Sequence, residues 1–262
     1  MTDPKEGEHM KLLKVTFFLL IMITVCAEGF ANRLFLLSTY STPDDVVNAV
    51  VFYGEDVNAQ NAYGYTPLYQ YASLNMGNPE VIRALIEAGA VVDYRDGGGK
   101  TPLMVAAGRN WYSEGIQILI DEGADVNATD QNGSSPLMFA AMNNRGNQSD
   151  AAIVKALIDS GADVQMQTRT ASMTALMSAA GSGLPIVVKA LLDAGANVNA
   201  LNHNGMTALL CAAQITHFPE IITLLLEFGS DPYVEDKRGK NAYDYAKNNP
   251  NLRGSPVLDE LH

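Results

Sequence analysis

Apolar residues along this chain come in short bursts at helical spacing, separated by polar stretches rich in Gly, Asp and Asn. Val81, Ile82, Leu85 and Ile86 fall on one face of a helix, the pattern of an element buried on one side. Prolines open this segment and its counterparts, at Pro43, Pro79, Pro185 and Pro219. Proline loses no hydrogen bond in a helix's first turn, where the backbone N–H has no partner anyway. A second kind of burst starts on Thr or Ser, whose side-chain oxygen caps a helix, and ends on Ala pairs at 106–107, 140–141, 179–180 and 212–213. Side chains that small let a neighbouring element pack closely. Gly89, Gly123, Gly161 and Gly195 are placed to take the left-handed conformation that ends a helix. Asp96-Gly97-Gly98-Gly99 and Asp130-Gln131-Asn132-Gly133 suit type I turns, with Asp first and Gly fourth. The predicted unit is therefore helix, turn, helix, hairpin.

The unit repeats. Glycines at 54, 89, 123, 161, 195 and 229 are spaced 35, 34, 38, 34 and 34 residues apart. A second phrase keeps step with them: Thr66-Pro67-Leu68, Thr101-Pro102-Leu103, Ser135-Pro136-Leu137, Thr174-Ala175-Leu176 and Thr207-Ala208-Leu209, spaced 35, 34, 39 and 33. Two independent phrases sharing one period define a repeat architecture. T-P-L-x-x-A-A followed by L-L-x-x-G-A-D-V-N-A resembles the ankyrin repeat, over about residues 40–249. The resemblance implies an all-α solenoid of stacked helix-turn-helix units with short β-hairpin connections. No such unit buries its apolar faces alone, so stacking is obligatory. The expected boundaries are a capping repeat over 32–59, an array over 60–249 of about five full repeats plus a polar C-terminal half-repeat, and a loose tail over 250–262. The first unit lacks the T-P-L half, and Leu34, Phe35, Leu36 and Leu37 are expected to supply a substitute helix ahead of Thr42-Pro43. The middle is irregular. Ser135 to Gly161 takes 26 steps where other repeats take 21 to 23, with the extra polar residues near Asn143–Asp150 between the two helices. The following hairpin is one residue longer, and Ser172 replaces the usual turn glycine. Loop drift and a shaped contact region both account for this.

Ahead of the repeats, residues 15–25, VTFFLLIMITV, form an apolar run preceded by Lys11 and Lys14 and followed by Val25-Cys26-Ala27. Positive flank, short apolar stretch and small residues at a cleavage point read as a signal peptide over residues 1–27. The run has 11 residues, whereas a spanning helix needs about 20. An uncleaved anchor is the alternative. The expected location is periplasmic or extracellular.

The chain is 47% hydrophobic and 18% charged, enough to bury a core. It carries 17 Lys and Arg against 29 Asp and Glu, a formal charge of −12. That balance repels phosphate backbones and anionic lipid headgroups, so neither nucleic acid nor a membrane surface is an expected partner. It suits solubility and favours a basic partner. Two cysteines, Cys26 and Cys211, are too few for a disulfide scaffold. Asp96–Thr101 looks like the end of a phosphate-binding loop, but Tyr94 stands where that loop needs a Gly, and Thr101 is the repeat's helix cap. Asp125–Asp130 starts like a calcium loop, but the sixth position is Asp and the twelfth is Pro136. His9, His203, His217 and His262 are not spaced to share a metal with each other or with Cys211. No nucleophile–base pair gathers, and neither a cofactor nor a metal is expected. Cys211, beside Ala212-Ala213, is either a packed thiol or a reactive one. Asn127, Asn132 and Asn147 lie in N-x-Ser/Thr triplets.

In the family resembled, hairpin tips and first helices form a concave binding surface. Its variable positions are two in the hairpin turn, one before the Thr cap and two after the Ala pair. In this sequence these are Tyr63, Tyr65, Leu74, Lys100, Arg109, Asn132, Met142, Asn143, Met173, His203, Asn204, Met206, Gln214 and Ile215. Methionine makes adaptable contacts and tyrosine efficient ones. The row Tyr65, Met142, Met173 and Met206 is expected to line the contact, with the methionines folded into the core as the alternative. Trp111 and Tyr112 are a second candidate contact. The resemblance implies a non-catalytic module, a monomer binding another protein as adaptor, inhibitor or immunity-type protein. An accessory or regulatory subunit of an exported enzyme, or a secreted effector, is the alternative.

Overall fold

The computed structural model describes residues 32–38, 40–74, 78–109, 113–142, 148–182 and 184–262. Residues 1–27, Trp111, Tyr112 and Asn143 lie outside the described residues, and so do the expectations that rest on them.

Among the described residues there are thirteen α-helices and no strand. A 3-10 turn, Arg33–Leu36, precedes α1, Pro43–Val47, which widens into a π-helical turn at Asn48–Phe52. Then follow α2 Pro67–Ala72, α3 Pro79–Glu87, α4 Pro102–Ala107, α5 Ser113–Asp121, α6 Pro136–Met142 and α7 Gln148–Asp159. The chain continues with α8 Ala175–Ser182, α9 Pro185–Asp193, α10 Ala208–Ile215, α11 Pro219–Glu227, α12 Ala242–Ala246 and α13 Val257–Glu260. The even-numbered helices pack side by side in one row, and the odd-numbered ones in a second row behind it. None is long and apolar enough to cross a membrane.

The even-numbered helices form the inner row and the odd-numbered ones the outer row, and α2, α4, α6, α8 and α10 each start on the expected cap. Thr66, Thr101, Ser135, Thr174 and Thr207 accept from the backbone N–H three residues on, at 3.1–3.4 Å. The following Leu or Ala and the alanine pairs are buried at the interface between repeats. Leu137 is completely buried. Cys211 is packed with them, and burial pushes its thiol up to about 11. A thiol held protonated in an apolar setting is a poor nucleophile, so the packed reading of Cys211 holds.

The ends differ from expectation. Leu34 and Leu37 are buried as the substitute helix requires, but the helix is a single 3-10 turn. Residues 250–262 are not a loose tail. Asn249 caps a 3-10 turn at Pro250–Leu252, and α13 lies against α11, completing the outer row. Leu252, Val257 and Leu261 are buried there. Three apolar side chains so placed cover the last repeat's apolar face, as a solenoid's end must. The last unit is thus a helix pair, and the half-repeat boundary at 249 is corrected. The insertion resolves in part: α7 has 12 residues where α3, α5, α9 and α11 have 9, so Gln148–Asp150 form an extra helical turn.

Candidate interaction surface

The connections between repeats project turn tips whose shape comes from one side chain each. Asp96 Oδ1 accepts from the Gly98 and Lys100 amides, both at 2.8 Å. Asn61, Asp130, Asn202 and Asp236 bind the amides two and four residues on in the same way. A side chain that closes its own turn is the reason Asx residues favour these positions. The phosphate-loop look-alike is therefore occupied by its own Asp96, and the Gly99 amide also donates to the Asp96 carbonyl, at 2.9 Å. The fourth tip, Thr168–Ser172, is one residue longer. Thr168 Oγ1 accepts from Met173 at 2.9 Å, and Ser172 sits at φ +54, where the other tips have a glycine. Serine in the left-handed region is strained. At Gly133, with φ +78, a Cβ would meet Arg169 Cγ at 2.9 Å, so only glycine fits.

Backbone bonds tie neighbouring tips together. Gln131 N donates to Gly98 O at 3.0 Å, Arg169 N to Asn132 O at 2.7 Å, His203 N to Ala171 O at 2.9 Å and Lys237 N to Asn204 O at 3.0 Å. At the other end of each connection the side chain four residues past the glycine reaches the next repeat. The Asn127 amide donates to Gly161 O at 3.0 Å, and its oxygen accepts from Asp163 N at 2.8 Å. Asn58, Gln165 and Asn199 do the same. Asp93 stands at this position in the second repeat and can only accept, from Asp125 N at 3.1 and 3.2 Å. Tyr233 stands there in the last repeat, and its hydroxyl donates to the His262 carbonyl at 2.9 Å. These clamp residues escaped the sequence reading, although the recurring V-N-A phrase carries their signal. Asn127, one of the N-x-Thr asparagines, is one of these clamps. Asp125 and Asp130, from the calcium-loop look-alike, bind backbone amides. Among the described residues no group of three or more His, Cys, Asp or Glu could hold a metal ion.

The inner helices and tips carry the sequence-predicted positions. Tyr63 is 80% exposed and Met142 60%. Ile215 is 52% exposed, and its side chain lies over Gly181. Arg109, Asn132, His203, Asn204 and Gln214 are also exposed. Tyr65 is half-buried, its ring stacked 4.7 Å from Tyr69 and 6.1 Å from Tyr63. Lys100 is half-buried with its ammonium 5.2 Å from the Phe139 ring. Leu74, Met173 and Met206 are partly buried against the core. Of the expected row of four, Met142 is exposed, and Tyr65, Met173 and Met206 are half-buried. Met173 and Met206 precede helix caps and lean onto the stack, where the Asn202 amide donates to Met173 Sδ at 3.3 Å. Tyr69, which the sequence reading missed, donates to Asp96 Oδ2 at 2.6 Å, and the Tyr94 hydroxyl donates to the Gly64 carbonyl. Burial raises Tyr69 well above the ordinary tyrosine range, and the Asp96 bond adds to it. For Asp96, burial works upward but is outweighed by the Tyr69 hydroxyl and the Lys100 and Gly98 amides, which hold it below the usual carboxylate value.

The sequence model of a family described as ankyrin repeats (three copies) matches residues 34–130, 109–202, 137–236 and 176–252, overlapping matches that run through all the repeats. No curated protein matches the chain significantly.

Proposed function

The chain belongs to the ankyrin repeat family, and from that premise we propose that it is an exported, non-catalytic binding protein that grips another protein across its inner helices and turn tips. Repeats of this family are protein–protein interaction modules. A fold alone names no partner, so the reading rests on the surface. Tyr63, Met142 and Ile215 are large apolar side chains that are more than half exposed on the inner helices and turn tips. Apolar side chains set among polar neighbours are the usual make-up of an interface core. An adaptor, inhibitor or immunity-type role is the use of such a protein-binding surface that we propose. Export rests on the apolar run at residues 15–25 and the small residues that follow it.

Site-specific photo-crosslinking in the native extract tests the surface. A crosslinker at Met142, on the inner row, is expected to capture a defined partner, and one at Lys189, on the outer row, is not. Capture at Lys189 alone moves the interface to the back of the solenoid and overturns the reading.

A further inference from the structure

The charge of −12 is unevenly spread. The outer helices α3, α5, α7, α9 and α11 have no basic residue in their last turn. They end on Glu87, Asp121, Asp159, Asp193 and Glu227. A helix C-terminus is itself negative, so side chains and backbone add up along this edge. Basic groups on the outer helices are already neutralised by carboxylates: Arg83 by Glu122 at 2.7 Å, Lys155 by Asp159 at 2.7 Å and Lys189 by Asp193 at 2.8 Å.

The turn tips have the opposite character. Arg95 and Lys100 flank the second tip, Arg169 lies in the fourth, and Lys237, Arg238 and Lys240 make up most of the sixth. All but the half-buried Lys100 are exposed. Among the described residues none of the six is in an ion pair. Several touch neutral groups instead. Arg95 donates to the Thr129 carbonyl at 2.7 Å, Arg169 to the Gln131 carbonyl at 3.3 Å, and Lys240 lies over the Tyr245 ring. Carboxylates at the same tips point into the fold. Asp96 and Asp236 each give one oxygen to two turn amides and the other to a tyrosine hydroxyl, and Asp130 binds two amides. Glu235 is an exposed carboxylate beside the last tip, and without forming ion pairs Lys100, Arg238 and Lys240 lie in the fields of Asp96, Asp236 and the half-buried Asp244. Helices in contact lie about 8–10 Å apart, so cations at the second, fourth and sixth tips form a row roughly 32–40 Å long.

From this polarity we infer that the binding face receives an acidic polypeptide, whose carboxylates meet the tip cations while apolar groups meet Tyr63 and Met142. This rests on the binding surface proposed above and reverses the basic partner that net charge alone suggests. Complementary potentials steer encounter and set orientation more than they add affinity, so binding is strongly salt-dependent.

Three labelled probes titrated with the full chain test it: poly-L-glutamate, poly-L-lysine of equal length, and a short DNA duplex. Poly-glutamate is expected to bind at low ionic strength, although protein and probe are both anionic, and to weaken as salt rises. Replacing Lys237→Glu, Arg238→Glu and Lys240→Glu together is expected to lower that affinity at least about tenfold. Lys155→Glu with Lys189→Glu, on the outer row, is expected to leave it unchanged, with circular dichroism confirming that both variants are folded. Equal losses in the two variants, or binding of poly-lysine alone, overturn the inference. So does tip-dependent binding of the duplex in preference to poly-glutamate, which assigns the tips to nucleic acid. If Met142 crosslinks a partner while poly-glutamate fails to bind, the binding surface stands and its acidic partner falls.

Discussion

The clamp between repeats allows a paired substitution with opposite signs. Asn127→Asp keeps the acceptor for the Asp163 amide but removes the donor to Gly161 O, a bond of 3.0 Å. A carboxylate oxygen then faces a carbonyl oxygen at that distance. One lost hydrogen bond is worth about 1 kcal/mol, and an unsatisfied buried acceptor about 1–3. Because Asn127 is only half-buried, the lower part applies, and a loss of about 1–2 kcal/mol is expected. Asp93→Asn is the reverse experiment. It supplies a donor for the Gly123 carbonyl and removes a carboxylate next to Asp125, but weakens acceptance from the Asp125 amide. The expected net gain is about 0.5–1 kcal/mol. Urea unfolding followed by circular dichroism reads both, provided the slope with denaturant is unchanged. The Asn127→Asp deficit is also expected to shrink in acid. A protonated carboxyl regains the donor, so its folded pKa is raised above the unfolded one, and the penalty, full at neutral pH, falls as pH drops through the folded value. Neutral effects from both substitutions, or a deficit that grows in acid, refute the clamp.

Leu137→Ala, at a completely buried position between α4 and α8, is expected to cost about 2–5 kcal/mol; a cost under about 1 kcal/mol in the same assay means that the repeats do not stack in this register. Val257→Asp with Leu261→Asp is expected to lower the melting temperature by loosening α11, since both side chains are buried on the outer row; an unchanged melting curve shows that α13 caps nothing. Mass spectrometry of the exported protein is expected to find a new N-terminus near Ala27, and recovery of residues 10–27 on that protein rejects cleavage.

Much of this fold was legible in the sequence because its signals are local. Thr66, Thr101, Thr174 and Thr207 cap helices for reasons that need only the next three residues. Gly89, Gly123, Gly161 and Gly195 take φ between +82 and +96, as their place at helix ends requires. Features that need the neighbouring repeat were harder to read. Nothing local separates Met142, in solvent, from Met173, which leans on Asn202 in the next unit. The tail looked loose because Val257 and Leu261 become a core only once α11 lies beneath them. The extra residues after Asn143 read as loop because they are polar, yet Gln148–Asp150 join α7. The repeat register placed the candidate positions on the even-numbered helices and the turn tips, where the structure has them. Of the expected positions, Tyr63, Met142 and Ile215 are exposed, whereas Tyr65 and Met173 are half-buried.

That outcome decides how the central claim is tested. Tyr65 stacks on Tyr69 and Met173 on the core, so changing them confounds binding with stability. Tyr63→Ala with Met142→Asp perturbs exposed side chains only. Once the partner is captured, calorimetry of its binding to wild type and to this double variant tests the account most directly. A loss of at least about 2 kcal/mol in binding, the scale of interface hot spots, with an unchanged melting temperature is the predicted result. Wild-type affinity in the folded variant contradicts it.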